Sequence, residues 1–133
     1  MPLPAVGEVA PDFTLPDYTH STQYHLAEAV KQGPALVTFF KRSCAVSRMS
    51  LPFVERLHRQ YPAVQVLGIS QDDEDDAAFM VSQSDLSFPV LLDSDWQVSI
   101  AYDLVTVPTI FLLDTNGAPL ALRRTGSCYA ARA

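Results

Sequence analysis

Cysteine is scarce in this chain: two residues in 133, Cys44 and Cys128. Two thiols do not make the disulfide framework that staples small secreted domains. Histidine is nearly as rare, and His20, His25 and His58 stand at no metal-ligand spacing with either cysteine, so neither a metal nor another cofactor is expected. No apolar run is long enough to span a bilayer. The opening MPLPAVGEVAPDF has neither a basic n-region nor a long apolar h-region, which makes the cytoplasm the expected compartment. Positive charge is also short. Nine Lys and Arg against 15 Asp and Glu give a net charge of −6, which excludes a basic footprint for nucleic acid and argues against an acidic membrane surface as partner. Internal repeats and low-complexity linkers are absent.

What is present is a chain 48% apolar and 18% charged, long enough to bury one core. ALVTFF (35–40) and VQVLGIS (64–70) are continuous apolar runs of strand length, the pattern of strands buried on both faces. Phe13 to Leu15 and Tyr24 to Leu26 read as a short hairpin, and Leu26 to Lys31 as one helical turn stopped by Gly33-Pro34. A helix is expected from Cys44 to about Tyr61, capped by Ser43 and kinked at Pro52, with Val46, Met49, Phe53 and Leu57 on one apolar face. Asp72 to Ser84 reads as a second helix with acids suited to its dipole, then follow a strand (88–92) and a short helix (95–102). TIFLLD (109–114) and the strand 120–125 join across Asn116-Gly117, a hairpin turn signal. Strands alternating with helices and closing in a hairpin make an α/β fold around a mixed sheet.

The chemistry concentrates at FFKRSCAVSRMSLP (39–52). Cys44 stands where a strand ends and a helix begins. Free backbone N–H groups there favour a thiolate, and Lys41 and Arg42 add positive potential if they turn inward. A small, inert packing cysteine is the other reading. Ser47 lies one turn on and can donate to the Cys44 thiolate, but it cannot displace a disulfide as a second thiol does. Arg48 follows as a cation for a thiolate or a peroxide, or merely for the surface. His58 is too far along the helix to act as a base for Cys44, about 21 Å away. The acidic run 72–76 lacks the spacing of a calcium loop.

Several segments in order resemble the redoxin group of thioredoxin-fold proteins, which includes the AhpC/TSA peroxiredoxins and the thioredoxin-like thiol–disulfide oxidoreductases. VGEVAPDFTLPD (6–17) is similar to their entry signature. LVTFFKRSCAVSRMSLPFVERL (36–57) is similar to their active-site strand and helix, and Arg48 and Pro52 hold the family spacing. GISQDDEDDAAF (68–79), FPVLLD (88–93) and VPTIFLLDTNGAPL (107–120) resemble the following segments, the last of them the cis-proline loop and closing hairpin. The resemblance implies a thioredoxin-like domain over residues 1–126 with an N-terminal β-hairpin, and a short tail over 127–133. Three features depart from the pattern. The motif is C-x-x-S, with Ser47 for the second cysteine; Thr38 replaces thioredoxin's buried acid; and SCYAARA is too short for the closing helix.

The resemblance makes Cys44 the attacking thiol, assisted by Ser47 and tuned by Lys41, Arg42, Ser43 and Arg48. Val107, Pro108 and Thr109 become the substrate-binding loop, where the Val107 backbone pairs with an extended peptide. With Ser47 unable to resolve a mixed disulfide, resolution falls to glutathione, a substrate thiol or Cys128, which is otherwise read as a free thiol in a loose tail. Protein or small thiols and disulfides are the expected partners. Three functions stay open: thiol–disulfide exchange through Cys44 alone, a one-cysteine antioxidant peroxidase acting on peroxide, and a redox-inactive binding module. The peroxidase ranks below exchange because peroxiredoxins place the hydroxyl three residues before the cysteine, the reverse of Cys44 and Ser47. A missing closing helix would also expose one sheet face, to be covered by a homodimer or by the N-terminal segment.

Overall fold

The computed structural model describes residues 8–129, with the backbone alone for 125–127. Val6 and Gly7 of the entry signature and residues 130–133 of the expected tail lie outside that range. A hairpin of β1 (Thr14–Pro16) and β2 (Gln23–His25) leads into α1 (Leu26–Gln32). The main sheet follows: β3 (Ala35–Phe40), α2 (Ala45–Gln60), β4 (Gln65–Ser70), α3 (Glu74–Ser84), β5 (Val90–Leu92), α4 (Gln97–Ala101), β6 (Thr106–Leu113) and β7 (Pro119–Tyr129). Its strand order is β5-β4-β3-β6-β7, with β3, β4 and β5 parallel and β6 and β7 antiparallel. This is the thioredoxin-like arrangement expected from the sequence.

Two cores flank the sheet. On one face Val37, Phe39, Phe111 and Leu113 pack with Phe13, Leu26, Val30 and Tyr102. Tyr102 meets Phe39, Phe111 and Phe13 at tilted or edge-on angles, and its hydroxyl donates to the Pro11 carbonyl at 2.7 Å. The N-terminal segment thus covers this face. On the other face Phe40, Val66 and Val90 pack with Leu51 and Val54 of α2 and with Ala77 and Met80 of α3. Gly68 of β4 leaves room there: a Cβ would come within 2.8 Å of the Phe88 ring and 3.1 Å of the Phe40 ring.

The β6–β7 turn follows its sequence signal. Gly117 takes φ +80, and the Asp114 carboxylate accepts from the Asn116 and Ala118 N–H groups.

The expected face of α2 is not the buried one. Met49, Phe53 and Leu57 are 69%, 62% and 40% exposed, and Val46 is half-buried. The helix instead buries Ser47, Leu51, Val54 and Glu55. A periodic stripe identifies a helix face but not its direction, and here polar partners settle the matter. Glu55 accepts from the Ser87 N–H at 2.7 Å, the Ser87 hydroxyl at 2.6 Å and Arg59 Nε at 2.6 Å, so its burial is compensated. Burial pushes the Glu55 carboxyl upward, but those donors outweigh it and hold it below 4.5. Leu36, Ile110 and Leu112 on the same side of the sheet remain half-buried.

Leu51→Ala is expected to cost about 2–5 kcal/mol in chemical denaturation, as for other buried leucines. Phe53→Ser, on the exposed face, should cost under about 1 kcal/mol, including loss of its stacking with Arg56. Equal losses would reverse this orientation.

Candidate active site

Cys44 is the residue that ends the β3–α2 connection and caps α2, with extended backbone angles (φ −96, ψ 114) and no side-chain cap. Ser43, expected to be the cap, lies one residue earlier and is exposed. The first helical bond runs from the Arg48 N–H to the Cys44 carbonyl at 3.1 Å. The amides of Ala45, Val46 and Ser47 therefore precede the first helical bond.

Cys44 is not reached by solvent: its exposure is 0%. Cys44 and Cys128 form a disulfide, with Cα atoms 6.0 Å apart. The expectation of a free Cys128 in a loose tail is thus corrected. Residues up to Tyr129 continue strand β7, and Cys128 pairs opposite Val107, with Tyr129 opposite Thr106. Such a strand extension needs only an edge to pair with, which β6 supplies. Cys128 is half-buried and packs against the core, so it is the less buried residue of the pair.

The Val107–Pro108 bond is cis, as the resemblance implies. Val107, Pro108 and Thr109 are all buried, and the Thr109 hydroxyl donates to the Thr106 carbonyl at 2.6 Å. The Val107 carbonyl oxygen lies 3.7 Å from Cys44 Sγ.

The cations divide their work. Lys41 Nζ donates to the Tyr129 carbonyl, beside Cys128. Arg42 turns the other way: its guanidinium binds Asp76 at 2.8 Å and stacks 3.7 Å over Phe79 on α3. Arg48 donates to the Arg42 carbonyl and shapes the loop. Ser47 is buried, and its hydroxyl oxygen faces the Lys41 N–H at 3.4 Å. Thr38, where thioredoxin keeps an acid, is fully buried, and its hydroxyl has no partner within the described protein.

Sequence reasoning missed Asp72. With Arg42, Ser43, Arg48, Asp76 and Phe79 it lines an open groove of 550 Å³ next to the Cys44 loop. Its carboxylate accepts from the Arg42 N–H at 2.7 Å, which ties the β4–α3 connection to that loop. Read as one acid among a solvated run, it gave no separate signal. Burial raises its carboxyl above 3.8, and Asp76 and Asp73 push the same way against the Arg42 bond. His58 sits far along α2 against Phe88. Among the described residues no group of three His, Cys, Asp or Glu side chains is arranged to hold a metal.

The family model for AhpC/TSA matches residues 6–118. The chain belongs to the AhpC/TSA family. It is 29% identical over 115 residues to the thiol-disulfide oxidoreductase ResA of Bacillus subtilis, covering 84% of this chain and 63% of that protein. ResA of Geobacillus kaustophilus is 28% identical, with 85% and 66% covered. The chain thus spans a little under two-thirds of these relatives. Among solved structures, a Chlorobium tepidum protein assigned as a thiol:disulfide interchange protein DsbE superposes with a TM-score of 0.82 at 29% identity, over 90% of this chain and 84% of that one. A thiol-disulfide oxidoreductase from Bacteroides fragilis gives 0.78 at 25%, over 90% and 92%. Peroxidoxin BcpB of Mycobacterium tuberculosis shares the fold (TM-score 0.79, 20% identity, 95% of this chain and 88% of that one).

The raised Asp72 carboxyl has a sign consequence. The folded state holds its proton more tightly than the unfolded chain, so stability falls as pH rises from 3.8 through the raised value, and the penalty is complete above it. Asp72→Asn keeps an acceptor for the Arg42 N–H. Its melting temperature at neutral pH should equal or exceed that of the parent, with a flatter acid limb. A clear drop at pH 7 would refute the assignment.

Proposed function

We propose that this protein is a thiol–disulfide oxidoreductase whose redox couple is Cys44 and Cys128. The observation that carries the reading is the bond between the cysteine at the start of α2 and the cysteine that β7 sets opposite Val107. The helix N-terminus stabilises negative charge on the Cys44 sulfur, which suits it both as nucleophile and as leaving group.

In the oxidising direction for the protein, the Cys44 thiolate attacks one sulfur of a substrate disulfide and the other sulfur departs as a thiolate. The Cys128 thiolate then attacks Cys44 Sγ, which releases the second substrate thiol and closes the internal disulfide. Two electrons pass from the cysteine pair to the substrate. To restore the pair, an external thiolate attacks the sulfur of Cys128, the less buried residue of the two, and Cys44 leaves as the helix-stabilised thiolate. A second external thiol completes the reduction. This replaces resolution of Cys44 by an external thiol alone. The disulfide-oxidoreductase relatives support exchange over peroxide reduction, and Ser47 supplies a buried hydroxyl near the Lys41 amide rather than a second sulfur.

The test is intact-mass analysis of the reduced protein mixed with a disulfide-bonded peptide. Wild type should end as the internal disulfide with free substrate thiol. Cys128→Ser should stall as a mixed disulfide on Cys44, and Cys44→Ser should react no faster than buffer. Unchanged turnover in Cys44→Ser would overturn the proposal. Faster oxidation by peroxide than by the peptide disulfide would transfer the reading to a peroxidase.

A further inference from the structure

One face of the molecule breaks the charge pattern of the rest. The chain carries 15 Asp and Glu, yet β3, α2, β6 and β7 together hold a single acid, Glu55. Glu55 and Arg59 lean toward Ser87 and Asp85, at the end of α3. With about 3.6 residues per turn, Val46, Phe53 and Leu57 then lie on the opposite flank of α2, with Met49 beside them. That flank faces the β6–β7 half of the sheet, because the strand order sets β6 and β7 across β3 from β4 and β5. The sheet presents two rows of side chains there, Leu36, Leu112 and Ala121 in one and Thr38, Ile110 and Arg123 in the next. Leu36, Ile110 and Leu112 stay half-buried, whereas Met49, Phe53 and Leu57 are exposed. A helix standing beside an open sheet face makes a trough. This one has an apolar floor and an apolar wall about 24 Å long, the length of the 16-residue α2. Contiguous apolar surface of this kind marks an interaction site.

We propose that this trough binds an acidic amphipathic helix of another protein. The rim supplies the charge that selects it. On the wall, the Arg56 guanidinium stacks 4.5 Å over the Phe53 ring. On the outer strand, Arg123 stands opposite Ile110 and is exposed. Among the described residues no carboxylate pairs with either arginine. Both guanidinium groups therefore keep donors for carboxylates of a partner, within the roughly 8 Å over which charges act in physiological salt. A helix whose leucines recur every third or fourth residue fits the floor and the wall, and glutamates beside that stripe meet the two arginines. A second copy of this chain is the poorer occupant. Its matching face brings two more arginines and no acid, so burial would leave those charges unpaired. The net charge of −6 turns away an anionic bilayer. The docking site stands whether or not Cys44 turns over.

The test uses the full-length protein and two fluorescein-labelled peptides of about 16 residues, matched to α2 in length. Both carry leucine at every third or fourth position; one has glutamate and the other lysine in between. Hydrocarbon staples hold both peptides helical, since short isolated helices are marginal in water. Fluorescence anisotropy should show the glutamate peptide binding at least about tenfold tighter than the lysine peptide, because like charges at both arginines oppose docking. That order is diagnostic: non-specific attraction to a chain of net charge −6 favours the lysine peptide. Phe53→Ser should weaken the glutamate peptide about tenfold through lost apolar contact. The double variant Arg56→Glu/Arg123→Glu should reverse the preference, an outcome that unfolding cannot produce. Equal binding of the two peptides, no binding of either, or an affinity untouched by Phe53→Ser would overturn the proposal. Sedimentation and vesicle flotation decide the other occupants. A wild-type dimer that Phe53→Ser dissociates would overturn the acidic helix in favour of a second copy. Phosphatidylglycerol vesicles that capture wild type but not Phe53→Ser would overturn it in favour of a membrane.

Discussion

One covalent link organises the redox end of this molecule. It joins the first residue before α2 to the last turn-free stretch of β7, and every feature of the site takes its place from that junction. Within it Cys44 is fully buried and Cys128 half-buried. It also completes the pairing of a strand segment that β3 does not reach. The cations follow the same division: Lys41 serves the strand, whereas Arg42 ties the loop to α3 through Asp76 and Arg48 ties it to α2 through the Arg42 carbonyl.

The fold was legible because the sequence repeats its message at several levels. ALVTFF and VQVLGIS have the length and composition of doubly buried strands, and they pair in parallel from Ala35 opposite Gln65 onward. Asn116-Gly117 specified the last turn through a backbone conformation that glycine tolerates. The order of motifs around Cys44 and Pro108 identified the site, and the structure brings the two together across 3.7 Å from Cys44 Sγ to the Val107 carbonyl.

What stayed hidden depended on partners distant in sequence. The α2 stripe Met49–Phe53–Leu57 has the spacing of a buried face, but Glu55 is the residue turned inward, satisfied by Ser87 and Arg59. Nothing local announces that a glutamate will find a serine thirty-two positions away. Cys128 was misread for the same reason. Residues 128–129 gain their structure from the overhanging edge of β6, a property of another element. Asp72 was concealed by its neighbours, since only the tertiary arrangement distinguishes the acid that accepts the Arg42 N–H from those that face water.

The two sulfurs are 84 positions apart, so the oxidised chain is a closed loop that contains everything from α2 to β7 and excludes the amino-terminal hairpin, α1 and β3. On a chain-entropy model such a closure restricts the unfolded ensemble by about 4.5 kcal/mol, comparable to the whole margin by which small domains stay folded. Opening or closing that bond is therefore also a mechanical event that slackens or tightens the polymer as a whole, and the open form is the one more exposed to unfolding and to proteolytic attack.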